Sequence, residues 1–183
     1  LPRGNSLAWT YDDQNPDPRA RGNLLEVRRQ PLPGSPDPDL VTSLTYESRF
    51  NFLKTVTDPR GNTITYTYDY ELPPEDPDYG QAGNLVTITY PTVDLITPEV
   101  RFSYTAFGQL ESLTDPNGNV TSLTYDANGY LRTLTQGVGT PQAATTTLLA
   151  DALGRLTALK NPNNATTSFT YDAANQLTPL PAP

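Results

Sequence analysis

"LTDPNGNVTSLTYDANGYLRTLT", residues 113–135, carries two turn signals around one strand-like run. Asp115-Pro116-Asn117-Gly118-Asn119 opens the run, and Tyr125-Asp126-Ala127-Asn128-Gly129 closes it. Proline presets φ at the second position of a turn, and Gly or Asn accepts positive φ later in it. An Asp side chain can bond forward to backbone N–H groups as an Asx-turn. Between the turns the residues alternate. Thr121, Leu123 and Tyr125 share one face, and Val120, Ser122 and Thr124 share the other, the period of a strand.

The pattern recurs. Aligned on Tyr, an acid, a turn and Leu, residues 104–110, 150–156 and 171–177 match 125–131 in length, and 46–53 is one residue longer. Two copies carry insertions: Tyr11-Asp12 reaches Leu24, and Tyr68-Asp69 reaches Leu85. Their glycine positions are Gly108, Gly129 and Gly154 in the short copies. That makes about seven copies at roughly 21- to 25-residue spacing where uninterrupted, a period typical of repeat architectures. A second turn alternates with the first, at Asp58-Pro59-Arg60-Gly61-Asn62 and at 115–119, with a weaker copy at 161–164.

Each unit therefore reads strand, Tyr-Asp turn, strand, Asp-Pro turn. After the Tyr-Asp turn comes Leu-x-x-apolar-Thr, as in Leu131…Leu134-Thr135 and Leu53…Val56-Thr57. Spacing of three is not strict alternation; it fits either a bulge or burial on both faces. A lone hairpin is marginal in water, whereas hairpins added side by side bury a shared face. The expected fold is all-β: repeated antiparallel β-hairpins in one continuous sheet that curls or spirals because sheets twist, a section of a shell or tube. It forms a single repeat region over 1–183, with loop insertions near 12–21, 28–39 and 69–82.

Composition excludes several kinds of chemistry. With no Cys and no His, there is no disulfide, no thiolate nucleophile and no Ser-His-Asp or Cys-His site. A net charge of −8 repels phosphate backbones, so nucleic acid is not an expected partner. No run approaches the ~18 apolar residues of a membrane helix, so membrane insertion is not expected. No signal peptide is legible. A chain lacking Met and starting at Leu1 reads as a piece or processed product of something longer.

The Tyr-Asp pairs invite a catalytic or sugar-binding reading. Adjacent strand residues point to opposite faces, so Tyr125 and Asp126 would not converge on one substrate. Thr105 stands for Asp in one copy and Ala150 for Tyr in another, which a turn tolerates and a catalytic pair does not. Glycosidase carboxylates must sit about 5–10 Å apart across the scissile bond. Asp12, Asp13, Asp17, Glu75, Asp76, Asp78 and Glu99 are candidates only because acids are plentiful. Calcium needs six to eight oxygens from a turning segment. Residues 12–23 and 75–84 supply several without the EF-hand spacing, so solvated loops are the simpler reading and no cofactor is expected. Asn119-Val120-Thr121 and Asn164-Ala165-Thr166 match the N-glycosylation pattern, relevant only in a secreted eukaryotic protein. Trp9 is the sole tryptophan, and core packing is its expected role.

The units closely resemble the YD repeats of the RHS (rearrangement hot spot) family. The resemblance rests on "SLTYDANGYLRTLT" (122–135), "SFTYDAANQLT" (168–178), "LLADALGRLTAL" (148–159) and the "TDPxGN" connectors at 57–62 and 114–119; "YESRFNFLKTVTDPRGNT" (46–63) looks like a long-unit variant. It spans about Leu7 to Leu180. In bacterial RHS proteins and toxin-complex C-components such repeats wind a hairpin sheet into a hollow shell around a toxic polypeptide. In animal teneurins a similar shell belongs to an adhesion ectodomain. The motifs of the family's self-cleaving core, with its Asp pair, are not found here.

The resemblance marks Tyr11, Asp12, Tyr46, Tyr68, Asp69, Tyr104, Gly108, Tyr125, Asp126, Gly129, Gly154, Tyr171 and Asp172 as structural signature residues. Asp58, Pro59, Gly61, Asp115, Pro116 and Gly118 mark the connectors. The expected function is non-enzymatic: a section of a shell enclosing a toxin or other cargo, bacterial and secreted or at the cell surface. Its partners would be further YD repeats of the same or neighbouring chains and an enclosed toxin polypeptide. Two alternatives stand: a secreted protein that self-assembles into fibres or tubes by strand-edge pairing, and an adhesion module binding glycans on exposed Tyr.

Overall fold

The structure, a computed structural model, describes residues 6–178; Leu180, the far end of the resemblance, lies outside the described residues. The chain divides into two compact units, Leu1–Val100 and Arg101–Pro183. The first holds β1 (Ser6–Tyr11), β2 (Leu24–Gln30), β3 (Leu40–Tyr46), β4 (Leu53–Thr57), β5 (Thr63–Tyr68) and β6 (Leu85–Thr89), with one 3-10 turn at Asp69–Glu71. β7 (Glu99–Tyr104) begins at the unit boundary. The second unit continues with β8 (Leu110–Thr114), β9 (Val120–Tyr125), β10 (Leu131–Gln136), β11 (Ala144–Ala150), β12 (Leu156–Lys160) and β13 (Thr166–Ser168). The strands follow one another in chain order in an antiparallel sheet, and no α-helix occurs among the described residues.

The spacing of three is a bulge. In the β9–β10 hairpin Leu131 pairs with Tyr125 but Thr133 pairs with Thr124, so Arg132 is an extra residue. The same shift leaves Leu25, Lys54, Val86, Glu111 and Thr157 unpaired in the other hairpins. A bulged residue resets the period of two, so the Leu before it and the apolar residue after it share a face. Leu131 and Leu134 thus join Tyr125 and Leu123 on one side.

The opposite side is a hydroxyl face. Thr124 and Thr133 meet across the strands at 2.6 Å, Thr45 and Thr55 at 2.6 Å, Ser103 and Ser112 at 2.7 Å, and Thr135 and Thr145 at 2.9 Å. Such cross-strand hydroxyl pairs are among the contacts that stabilise a sheet. Most strand residues are half-buried; among the described residues only Tyr68, Val86, Glu47 and Asp69 are buried.

Two expectations change. Arg28–Gln30 belong to β2, so the loop expected near 28–39 begins at Pro31; the β-structure extends because Arg28 bridges Glu26 and Asp39 at 2.7 and 2.9 Å. Trp9 is not in a core: it is 54% exposed on β1, on a sheet without a covering layer among the described residues. The chain also runs out into an arm between β6 and β7, where Val93 bridges Ile96 and Tyr90 donates to the Pro98 carbonyl.

Candidate functional site: the turns and their bridges

The Tyr-Asp turn and the Asp-Pro turn are the same structure. In each, one carboxylate oxygen accepts the N–H groups two and four residues ahead. Asp126 Oδ1 takes Asn128 and Tyr130 at 2.9 and 3.0 Å; Asp115 Oδ1 takes Asn117 and Asn119, both at 2.9 Å. Asp58, Asp151 and Asp172 repeat this. The amide oxygen of Asn161 and the hydroxyl of Thr105 do it without charge. The fourth residue is the one that turns left-handed: Gly129 at φ +84°, Gly118 at +82°, Asn175 at +63°. In this region a Cβ is costly for most residues but tolerated by Asn.

The fifth residue adds a second bond in some copies. Asn62 and Asn119 donate their side-chain amides to Asp58 and Asp115 at 2.9 and 2.8 Å, and Arg155 Nε donates to Asp151 at 2.7 Å. This explains the Asn that ends "TDPxGN". These side-chain donors, then the turn N–H groups, hold the Asp58 and Asp115 carboxyls below the usual Asp value; the Arg155 guanidinium does so for Asp151.

Asp69 performs this role across a 13-residue insertion. Its carboxylate, 2% exposed, accepts Ala82 N–H at 3.1 Å and Gly83 N–H at 3.0 Å, and its own N–H donates to the Asn84 carbonyl. Asp12 likewise donates its N–H to the Asn23 carbonyl and accepts Gly22 N–H at its carbonyl. Long loops are thus closed by the frame that closes a short turn.

The tyrosines do something separate. Tyr125 Oη donates to the Leu110 carbonyl at 2.7 Å, Tyr68 to Leu53 at 2.8 Å, Tyr171 to Leu156 at 2.9 Å, and Tyr46 to Leu24 at 3.1 Å. The acceptor is always the Leu that begins the return strand of the preceding hairpin. Tyr125 and Asp126 therefore bond in different directions, one to the previous hairpin and one to its own turn. The Tyr125 hydroxyl and the Asp126 carboxylate are thus spent on separate backbone groups.

A third contact joins neighbouring turns. In five copies the residue just before the repeat Leu reaches the left-handed residue of the next Tyr-Asp turn. Asn23 bonds Asn51 at 2.6 Å, Gln109 Nε2 donates to the Gly129 carbonyl at 2.8 Å, and Arg155 donates to Asn175 Oδ1 at 2.7 Å. Phe52 and Tyr130 cover Gly83 and Gly154 with their rings. No sequence signal marked these residues, because their chemistry differs in every copy.

The first unit adds an aromatic cluster beside the long turn. Phe50, Phe52, Tyr68 and Tyr70 lie 5.1–6.0 Å apart by centroid, and the Arg49 guanidinium sits over Phe50 and Tyr70 at 5.1 and 4.9 Å. Burial alone would raise the Glu47 carboxyl, but the N–H groups of Phe52, Arg49 and Phe50 outweigh it and hold it low. The Tyr70 hydroxyl is shielded from solvent, close to Glu47 but without hydrogen-bond geometry. Burial first and that carboxylate second push its ionisation far above an ordinary phenol's.

The acids weighed for catalysis or calcium are dispersed. Asp17 is paired with Arg19 at 2.7 Å, Asp76 accepts Asp78 N–H at 2.9 Å, and Glu99 accepts the Thr89 hydroxyl at 3.4 Å. Among the described residues no three His, Asp or Glu side chains gather. Asn119, in a glycosylation pattern, spends its amide on Asp115; Asn164 takes the left-handed turn position at φ +66°.

The comparisons agree with this geometry. The sequence model of the family described as RHS Repeat matches residues 100–141 and 151–178. A comparison with curated proteins found no significant match. The chain is similar in structure to TcdB2-TccC3-TEV (15% identity, TM-score 0.67, covering 95% of this chain and 9% of that one). It is similar to TcdB2-TccC3 without its hypervariable C-terminal region (18%, 0.64, 85% and 8%). It is also similar to the Photorhabdus luminescens Tc holotoxin pore (19%, 0.60, 85% and 8%). The chain thus spans less than a tenth of the chains it matches. The family model thus finds RHS repeats within residues 100–178, and the same bulged hairpin geometry runs through the residues before them.

Proposed function

We propose that the chain is a non-enzymatic wall section: consecutive hairpins that, with further YD repeats, build a sheet enclosing a polypeptide cargo. The observation that carries this is the double linkage between neighbours. The hairpins of Tyr46, Tyr68, Tyr125 and Tyr171 are each tied to the one before by a Tyr hydroxyl on a Leu carbonyl and by a turn-to-turn contact. The polar groups at the turns are spent on the frame itself rather than aimed at a ligand. A bulge in six hairpins raises local twist in the same place each time, which bends a growing sheet consistently. The fold shared with the TcdB2-TccC3 complexes supports a toxin polypeptide as the cargo and a secreted bacterial protein as the setting. Among the described residues no helix is long and apolar enough to cross a membrane.

Limited proteolysis of the whole protein that contains this chain tests the proposal. Fragments from the enclosed segment should stay undigested until the wall is unfolded in denaturant. Digestion of that segment at the rate of a free peptide, with the sheet intact, would refute enclosure.

A further inference from the structure

The arm at 90–98 departs from the repeat. A tight Asp or Asn turn closes the connectors at 58–62, 115–119 and 161–165. Here a two-residue turn at Asp94 and Leu95 closes a short ladder, supported by the Thr92–Thr97 hydroxyl pair at 2.7 Å. Both turn residues have positive φ, +49° and +67°. A Leu at positive φ is uncommon and costs energy that Gly or Asn would not. That strain presents an aliphatic tip: Leu95 is 99% exposed, Ile96 69% and Val93 63%. Adjoining exposed aliphatics of this kind mark contact surfaces.

The same edge of the sheet carries a matching hollow. Connectors 31–39 and 58–62 share that edge with the arm, as alternate loops of antiparallel strands must. Beside them Leu7, Val27, Arg29, Leu40, Thr42 and Pro59 line a groove of about 220 Å³. That exceeds the ~150 Å³ apolar cavity known to hold a benzene. The Arg29 side chain makes no hydrogen bond or ion pair among the described residues, unlike that of Arg28, which holds Glu26 and Asp39. Asp94, at the tip, is likewise unpaired. The tip thus offers an aliphatic knob beside a free anion, and the groove offers an aliphatic hollow beside a free cation.

We infer that the arm docks into this groove on a second copy of the chain, Leu95 filling the hollow and Asp94 meeting Arg29. The tip does not occupy its own groove, since Leu95 is almost fully exposed. The contact is heterologous, so each copy keeps one free knob and one free hollow and the association is open-ended. It is small, below the ~1,200 Å² of stable interfaces, and therefore weak and reversible. An anionic lipid surface suits the tip less well, since Asp94 would face it. The inference is independent of the wall proposal.

The absence of Cys allows a direct test. A Leu95→Cys chain is mixed with a Leu40→Cys chain, and in parallel with a Gln142→Cys chain, under mild oxidation. The Leu95–Leu40 pair should cross-link at least about tenfold faster than the Leu95–Gln142 pair. Arg29→Glu combined with the Leu40→Cys change should slow it, and Asp94→Arg in the partner should restore it. Equal rates at positions 40 and 142, or no response to the charge swaps, would overturn the inference. Circular dichroism of each variant confirms folding, and Leu95, Arg29 and Gln142 are exposed enough that folding should persist.

Discussion

Tyr125 Oη lies 2.7 Å from the carbonyl oxygen of Leu110, a residue 15 positions earlier and in the preceding hairpin. Tyr68 and Leu53, and Tyr171 and Leu156, stand in the same relation at the same spacing. One hydrogen bond of this kind contributes about 0.5–1.5 kcal/mol net. Tyr125→Phe should therefore lower unfolding free energy by about 1 kcal/mol in urea titration with an unchanged m-value. The reverse change is available at Ala150, which holds the Tyr position opposite Leu156. Ala150→Tyr should raise stability by giving the Leu131 carbonyl the Tyr hydroxyl that the corresponding Leu carbonyls receive in other copies. A stability loss there with an intact sheet would show that the hydroxyl bridge is not transferable between copies.

The bulge sets which face each residue joins. Slipping a strand by one residue moves its whole apolar set to the other face. Deleting Arg132 should therefore abolish cooperative unfolding of the second unit, although Arg132→Ala should cost no more than about 0.5 kcal/mol as a surface change. If the deletion folded as well as the point variant, the bulge would be incidental.

The two glycines Gly154 and Gly118 separate backbone strain from crowding. Both have positive φ, +79° and +82°. A Cβ on Gly154 would lie 2.5 Å from the Tyr130 ring, whereas one on Gly118 meets nothing within 4 Å. Gly118→Ala should cost about 1 kcal/mol from φ alone. Gly154→Ala should cost about 1–3 kcal/mol more, from overpacking. Tyr130→Ala in the Gly154→Ala background should recover part of that excess, measured by denaturant titration.

Acid should loosen the turns. Asp58, Asp115 and Asp151 are held below the usual Asp value when folded. A depressed folded value contributes stability above the unfolded value of about 3.9, and this contribution disappears as pH falls through the lower folded value. Melting temperature should be flat above about pH 5 and drop below about pH 4. Asp115→Asn should remove that site's share of the drop while keeping the turn, since Asn161 already makes the same two backbone bonds without charge. Asp115→Ala should lower the melting temperature at every pH.

The hairpin order was legible because turn chemistry is local: Asp, Pro, Gly and Asn at fixed offsets state a turn wherever they occur. The bulge was legible only as an ambiguity, since Leu-x-x-Leu fits both a bulge and two-sided burial until the partner strand is known. The identity of the two turns was hidden by the Pro that follows Asp58 and Asp115 and is missing after Asp126. The turn-to-turn contacts were not legible at all, because Asn23, Phe52, Gln109, Tyr130 and Arg155 share a position but no chemistry. The arm at 90–98 escaped for a related reason. Its turn is made by Asp94-Leu95, and Leu carries no turn signal.

Cryo-electron microscopy of the whole protein that contains these repeats tests the central claim most directly. Residues 6–178 should appear as successive strands of a wall around a closed volume, with polypeptide density inside it. The same residues folded as a sheet apart from any enclosed compartment would contradict the claim.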